Sequence, residues 1–102
     1  MERAIDEKRH QLAQICRQHR VRRLVLFGSA LREDFDPERS DLDFLVEFEP
    51  LPPGEYASTY FKLSEALAEL FGRNIDLIEA GSVRNPYLKQ AIEAQQETVY
   101  AA

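Results

Sequence analysis

The sequence predicts an α/β fold of the α+β kind, in which a small mixed β-sheet has helices packed on one face. Residues 21–27 and 41–48 are strand-like apolar segments on either side of a polar loop, and residues 74–79 form a third. Apolar residues recur at helical spacing in residues 3–19 and 56–71. At 102 residues the chain is long enough for one hydrophobic core, so we expect a single domain over residues 1–102.

The composition is that of a globular domain without a membrane segment. Hydrophobic residues make up 44% and charged residues 30%, and no apolar run approaches the roughly 20 residues that span a bilayer. The amino-terminal residues are charged and contain no apolar signal segment. The single cysteine, Cys16, excludes an internal disulfide and lies in an apolar helical pattern. We therefore expect a cytoplasmic protein in which Cys16 is a buried hydrophobic residue and not a nucleophile.

The net charge of −5 argues against direct binding of nucleic acid, because phosphate backbones are held mainly by clustered Lys and Arg. Two small basic clusters remain. Arg20, Arg22 and Arg23 stand at the start of the first strand and suit a solvated helix end or a partner contact. Arg32 and Arg39 flank the acidic loop, where contact with phosphate and neutralisation of nearby carboxylates are both open.

The first half of the chain predicts a helix followed by a buried strand. Residues 3–19 form an amphipathic helix that covers one face of the sheet. Residues 21–27 are a nearly continuous apolar run, which indicates a strand buried on both faces and ended by Gly28. The apolar residues expected on the inner side of the helix are Ile5, Leu12, Ile15 and Cys16.

The second half predicts the main core helix, a strand and a last helix. Residues 56–71 carry a wide apolar stripe that ends at Gly72, a helix stop. Asn85 can cap a helix that begins at Pro86. Residues 98–100 either add a short edge strand or dock on the sheet. The core helix is expected to pack through Ala57, Tyr60, Phe61, Leu63, Leu67, Ala68, Leu70 and Phe71, and the last helix through Leu88, Ala91 and Ile92.

Three carboxylates interrupt the second and third strands. Strand side chains alternate between faces, so Asp41 and Asp43 share one face while their apolar neighbours Leu42 and Phe44 share the other. Asp76 interrupts the third strand in the same way. If these strands are neighbours, the carboxylates converge on one face and form an oxygen ligand set for one or two Mg²⁺ ions. Two such ions can stabilise the attacking and leaving oxygens of a phosphoryl displacement.

Gly28 and Ser29 follow the first strand and suit contact with phosphate. A glycine lets the backbone approach a phosphate group, and amides at a helix start, together with the Ser29 hydroxyl, can donate to it. A Gly-Ser pair or an Asp-x-Asp pair taken alone is more typical of a simple turn. Their combination, with a further Asp on a separate strand, is difficult to obtain from turn chemistry.

The combined pattern, G-S-x-x-R-x-D-x-x-x-x-x-S-D-x-D, resembles that of nucleotidyltransferases of the DNA polymerase beta superfamily. The resemblance covers the whole chain, and its short length and Asp-Leu-Ile segment are similar to the minimal nucleotidyltransferases, often encoded beside a HEPN-type toxin as its antitoxin. Glu33 departs from the pattern, because many members have glycine there. The matching residues are Gly28, Ser29, Arg32, Ser40, Asp41, Asp43 and Asp76.

The resemblance implies a palm-type sheet and a role for each residue of the pattern. Gly28 and Ser29 would hold the triphosphate of ATP, and Arg32 would contact phosphate or pair with a nearby carboxylate. Ser40 more often shapes a turn in such a position than binds a ligand. The metal ligands and catalytic residues implied are Asp41 and Asp43, which would bind both Mg²⁺ ions, and Asp76, which would complete the site and activate the incoming hydroxyl.

The implied activity is Mg²⁺-dependent transfer of AMP from ATP to a hydroxyl group, a tyrosine of the HEPN toxin, in a complex with that partner. A non-catalytic antitoxin that blocks its partner by contact alone remains the alternative. Transfer to a small molecule such as an aminoglycoside is disfavoured because a separate substrate domain is missing. Polymerase activity on DNA is disfavoured by the acidic charge.

Overall fold

A computed structural model describes residues 2–28 and 41–102 of the chain. Within these ranges it contains four α-helices, four β-strands and a 3₁₀ helix, Ala80–Ser82. In chain order the elements are α1 (Glu2–Glu7), α2 (Arg9–Gln18), β1 (Val21–Phe27), β2 (Leu42–Phe48), α3 (Tyr56–Phe71), β3 (Ile75–Glu79), α4 (Pro86–Ala94) and β4 (Gln96–Ala101). In this part of the chain no helix is both long enough and apolar enough to cross a membrane.

The strands form one mixed sheet in the order β3-β2-β1-β4. β1 is antiparallel to both β2 and β4, whereas β2 and β3 are parallel. A parallel pair needs a long crossover connection, and α3 lies in the segment that joins β2 to β3. The predicted fold class is therefore confirmed, and the carboxyl-terminal segment is an edge strand, longer than the predicted residues 98–100.

The main core lies between one face of the sheet and the helices α2 and α3. β2 contributes alternate residues to it, and Leu63 and Leu67 of α3 pack against them. Cys16 of α2 is fully buried here, as predicted, and burial raises the pKa of its thiol to about 12. The buried residues of this main core are Ile5, Leu12, Cys16, Val21, Leu24, Leu26, Leu42, Phe44, Val46, Leu63, Leu67, Leu77 and Val99.

The opposite face of the sheet carries a smaller cluster. Val25 and Phe27 of β1 and Leu45 of β2 pack there against Ile92 of α4. β1 is thus buried on both faces, as its continuous apolar run predicts. The helices α2 and α3 lie on one face as expected, while α4 covers part of the other face.

Several element boundaries agree with local signals in the sequence. α3 spans Tyr56–Phe71 and ends at Gly72, whose φ of 65° is left-handed and suits a residue without a side chain. The Asn85 side chain accepts hydrogen bonds from the backbone N–H groups of Tyr87 and Leu88, which confirms the predicted cap of α4. These positions were predictable because cap chemistry involves only neighbouring residues.

The predicted single helix over residues 3–19 is wrong, because the helix is interrupted at Lys8, which separates α1 from α2. Lys8 has φ −111° and ψ 11°, outside helical values. Its ammonium group donates to the Leu70 carbonyl near the end of α3, with an Nζ to O distance of 2.6 Å. This contact joins residues far apart in the sequence, so the helical spacing gives no sign of it.

The predicted inner faces of α3 and α4 are wrong in part. Phe61 is 63% exposed, because it lies two residues, or about 200° around the helix, from the buried Leu63. In α4, Ile92 is buried as predicted, whereas Leu88 is 38% exposed and Ala91 is also exposed. Ile92 is the α4 residue that packs in the cluster on this face of the sheet, whereas Leu88, one turn earlier, stays largely in solvent.

Candidate active site

Two of the predicted carboxylates, Asp43 and Asp76, lie at the same position of neighbouring parallel strands. Asp43 of β2 is the register partner of Asp76 of β3. The adjacent residues Phe44 and Leu77 are buried in the main core, so the carboxylates project from the opposite face. Asp43 is half-buried and Asp76 is exposed. The sheet therefore brings these two acidic groups side by side.

The carboxylates are part of a row that crosses the whole sheet. Phe27 of β1 pairs with Asp43, and Gln96 of β4 pairs with Phe27. We call Asp76, Asp43, Phe27 and Gln96 the carboxylate row. It lies at the carboxyl end of β1 and at the amino ends of β2 and β3. On the same face, two residues along each strand from Asp76, Asp43 and Phe27, the side chains are apolar: Ile78, Leu45 and Val25.

Gly28 follows Phe27 of this row along the chain, and its backbone lies close to the Asp43 carboxylate. Its φ of +76° is a left-handed conformation that side chains rarely adopt. A Cβ atom at this position would lie 2.6 Å from Oδ2 of Asp43. The backbone of Gly28 and the Asp43 carboxylate thus share one small space, which only a glycine leaves open.

Asp41 lies immediately before β2 and is exposed. The next residue, Leu42, donates its N–H to the Asn74 carbonyl at 3.1 Å, which ties the start of β2 to the start of β3. Among residues 2–28 and 41–102, no three His, Cys, Asp or Glu side chains are placed so that they could hold one metal ion. The structure thus brings Asp43 and Asp76 to one register position and places Asp41 just before β2.

This donor set fits magnesium. Mg²⁺ prefers hard oxygen ligands and commonly takes one or two carboxylates, with the remaining positions filled by water and substrate phosphates. Two carboxylates at one register position also repel each other, and a cation between them relieves that repulsion.

The other residues of the predicted phosphate corner lie in the segment 29–40, outside the described residues. They are Ser29, Arg32 and Arg39; Ser40, which the sequence predicts to shape the turn, lies in the same segment. Gly28 alone represents this corner in the described part of the chain.

Sequence reasoning missed a cavity of about 370 Å³ on the same face of the sheet. It lies between the sheet and α4, and Arg23 is part of its wall. Arg23 Nε lies 3.0 Å from Glu47 Oε2 in a half-exposed ion pair. Strand alternation could have placed Arg23 on this face of the sheet, because Arg23, Val25 and Phe27 are alternate residues of β1 and alternate residues share a face. The lining residues are Arg23, Leu45, Ala80, Val83, Lys89, Ile92, Glu93 and Gln96.

Comparison with known proteins places these features in a family context. The family described as "Nucleotidyltransferase domain" matches residues 9–100. A Methanocaldococcus jannaschii protein, provisionally named a protein adenylyltransferase, is 39% identical over 75 residues, which cover 74% of this chain and 72% of that protein.

Two solved structures share the fold. One, described as a candidate minimal nucleotidyltransferase, superposes with a TM-score of 0.71 and 28% identity over 90% of this chain and 89% of that one. The other is the complex of a tri-AMPylated Shewanella oneidensis HEPN toxin with an MNT antitoxin. A chain of that complex superposes with a TM-score of 0.65 and 18% identity, over 96% of this chain and 73% of its own length. At that identity the second likeness concerns the fold alone.

Proposed function

Because the chain belongs to the nucleotidyltransferase domain family and is a nucleotidyltransferase, we propose that it transfers AMP from ATP to a tyrosine hydroxyl of a HEPN-type toxin, which silences the toxin. The observation that carries this proposal is the pairing of Asp43 with Asp76 beside Gly28. The name of the Methanocaldococcus jannaschii relative supports AMP as the transferred group. The AMPylated HEPN toxin in the complex of similar fold supports the nature of the acceptor.

The phosphate end of ATP is assigned to the carboxyl end of β1. Gly28 leaves room for a phosphate to approach the backbone, and Ser29 follows it with a hydroxyl and an amide as donors. Arg32 either contacts the phosphates or pairs with a neighbouring carboxylate. The β- and γ-phosphates, which leave as pyrophosphate, would therefore lie beyond the end of β1.

Asp41, Asp43 and Asp76 are the residues that would hold Mg²⁺, with one or two of these carboxylates on each ion, because no three of the described side chains surround a single position. When bound, Mg²⁺ offsets the charge of the phosphates and of the leaving pyrophosphate. Asp43 stands between Asp76 and the backbone of Gly28, so it can hold the cation close to both the phosphates and the acceptor. Asp76 is exposed at the edge strand β3, where a carboxylate oxygen can accept the proton of the acceptor hydroxyl.

The direct test mixes this protein with the HEPN-type toxin proposed as its partner, together with ATP and Mg²⁺. We expect a mass increase of one or more AMP units on a tyrosine-containing peptide of that partner. Omission of Mg²⁺ should abolish the increase. A partner that is neutralised without any adenylyl mass would contradict the enzymatic proposal.

Contact inhibition without catalysis is separated by a second experiment. In the variant with Asp41→Asn and Asp43→Asn, transfer should be lost, and with it the neutralisation of the toxin. If this variant still protects cells from the toxin, contact alone is the mechanism.

A further inference from the structure

The cavity between the sheet and α4 lies beside the carboxylates to which the proposed function assigns AMP transfer. It opens on the face that carries Asp43, and its volume of about 370 Å³ is within the range of small-ligand sites. Leu45, which lines it, is the next residue after Asp43 on the same face of β2. Residues two apart on a strand are about 6.8 Å apart, so at Leu45 the cavity lies one pleat from Asp43, and at Gln96 it reaches the carboxylate row itself.

The direction of the reaction assigns a side to each reactant. Along the antiparallel pair of β1 and β2, Gly28 comes first, then the carboxylate row, then Leu45, and then Arg23. Gly28 and the cavity therefore lie on opposite sides of Asp43. In phosphoryl transfer the attacking and leaving oxygens are roughly in line on either side of phosphorus. With the pyrophosphate on the Gly28 side, the attacking hydroxyl comes from the side of the cavity.

The lining of the cavity suits an aromatic ring with a polar end. Leu45, Val83 and Ile92 provide apolar surface, and Gln96, at the end of the carboxylate row, provides an amide. Lys89 lines the cavity together with Ile92 and Glu93, which follow it by three and four residues and so share one face of α4. Apolar walls with a few polar groups are typical of sites that bind and orient a ring.

We propose that this cavity is the acceptor pocket, which takes the ring of the tyrosine that receives AMP. This inference rests on the proposed function. With the ring on Leu45 and Ile92, its hydroxyl points to the carboxylate row, one pleat away. The phenol oxygen forms a bond to the α-phosphorus of ATP, and the bond from that phosphorus to the oxygen bridging to the β-phosphate breaks. Pyrophosphate leaves with the electron pair, and the phenol proton passes to the Asp76 carboxylate.

Binding can be tested without any transfer by methyl NMR of the full-length wild-type protein. N-acetyl-tyrosinamide is the acceptor probe, and a non-hydrolysable ATP analogue with Mg²⁺ is the nucleotide probe. We expect the tyrosine probe to shift the methyl signals of Leu45, Val83 and Ile92 with saturation, both with and without the nucleotide analogue. Displacement of the tyrosine probe by the analogue, with the same methyl signals shifted, would assign the cavity to the nucleobase. Absence of any shift with the tyrosine probe would also overturn the proposal.

Kinetics with the HEPN partner provide the second test, and Ala80→Trp fills the cavity. We expect KM for the partner to rise on the order of tenfold or more while KM for ATP stays within about twofold of wild type. Ala91→Trp is the matched control, because Ala91 is exposed on α4 and lies outside the cavity lining, and its kinetics should be those of wild type. A rise confined to KM for ATP, or no change, would contradict the acceptor pocket.

A second variant guards against misfolding of Ala80→Trp. Lys89 is exposed, so Lys89→Glu should fold, and it reverses a charge in the cavity lining. We expect KM for the partner to change with this variant and KM for ATP to stay constant; an unchanged KM for the partner would count against the pocket. If wild type transfers nothing to any partner, the proposed function fails, and the NMR titration still decides whether the pocket binds a tyrosine ring.

Discussion

The face of the sheet covered by α2 and α3 buries thirteen of the described residues in one cluster, whereas the face partly covered by α4 buries four. Both clusters draw on the same strands. In β2, Phe44 enters the main core while Asp43 and Leu45, on either side of it, belong to the other face. Strand alternation thus lets one segment stabilise the domain and present carboxylates. The thin cover of the second face leaves room for a substrate beside them.

The largest expected difference between the two faces is in how much a truncated core residue lowers the stability. Phe44→Ala should lower the free energy of unfolding by about 3–5 kcal/mol, because it opens a cavity in the fully packed main core. Ile92→Ala, on the face that α4 partly covers, should lower the free energy of unfolding by about 2 kcal/mol. This is the low end for such a truncation, because the cavity already lies beside Ile92. Urea denaturation measures both values. Equal losses would show that the two faces contribute alike.

Substitutions at two glycines distinguish the effect of backbone strain from the effect of damage to the candidate site. Gly28 and Gly72 have φ values of +76° and +65°, so an alanine at either position should cost about 1–2 kcal/mol of stability. Only at Gly28 would the new Cβ meet Asp43, whereas at Gly72 nothing lies within 4 Å. Because small misplacements at a reacting centre are costly, Gly28→Ala should lower the transfer rate on the order of 100-fold.

The matched variant, Gly72→Ala, should transfer AMP at nearly the wild-type rate despite its lower stability. Adenylyl transfer measured well below both melting temperatures makes this comparison. Equal loss of activity in both variants would mean that stability, and not the contact with Asp43, explains the effect.

A smaller effect is expected at the amino end of α4. Asn85→Ala removes the acceptor for the N–H groups of Tyr87 and Leu88 and should cost about 1 kcal/mol. Asn85→Asp keeps an acceptor oxygen and should restore most of the loss. Thermal unfolding followed by circular dichroism measures both variants; an alanine variant as stable as wild type would contradict the role of the cap.

The smallest effect concerns the buried thiol of Cys16 and appears only at high pH. Burial raises its pKa from 9.0 to about 12, so its contribution to stability is complete below pH 9 and is lost as the pH rises toward 12. At pH 10 the loss should be about 1 kcal/mol. Because other groups also titrate there, the measured quantity is the difference in pH dependence between wild type and Cys16→Ala. Identical slopes would contradict the buried, neutral thiol.

Local features of the sequence predicted the elements better than their arrangement. The bounds of β1 and α3 follow from a continuous apolar run and from helical periodicity ended by Gly72. The interruption at Lys8 accompanies a contact with the end of α3, and the exposure of Leu88 depends on how α4 meets the sheet. Such contacts join distant segments, so no local pattern records them.

In the candidate site, too, the local features were predictable from the sequence and the contacts between distant segments were not. The parity of Asp43 and Asp76 on their strands was readable from the sequence, and the structure confirms that both project away from the main core. Their common register position, and the contact of Gly28 with Asp43, required the strand order β3-β2-β1-β4. The cavity beside them needed the position of α4 as well.

The most direct test of the central claim, that Asp43 and Asp76 act as one catalytic unit, is a double-mutant cycle on the single-turnover rate of AMP transfer. Asp43→Asn and Asp76→Asn should each lower the rate by roughly 10³-fold or more, and the double variant should be no slower than the slower single variant. Asp6→Asn, on the distant helix α1, serves as the control and should keep the wild-type rate. A nearly wild-type rate in Asp76→Asn, or losses that multiply in the double variant, would contradict the account.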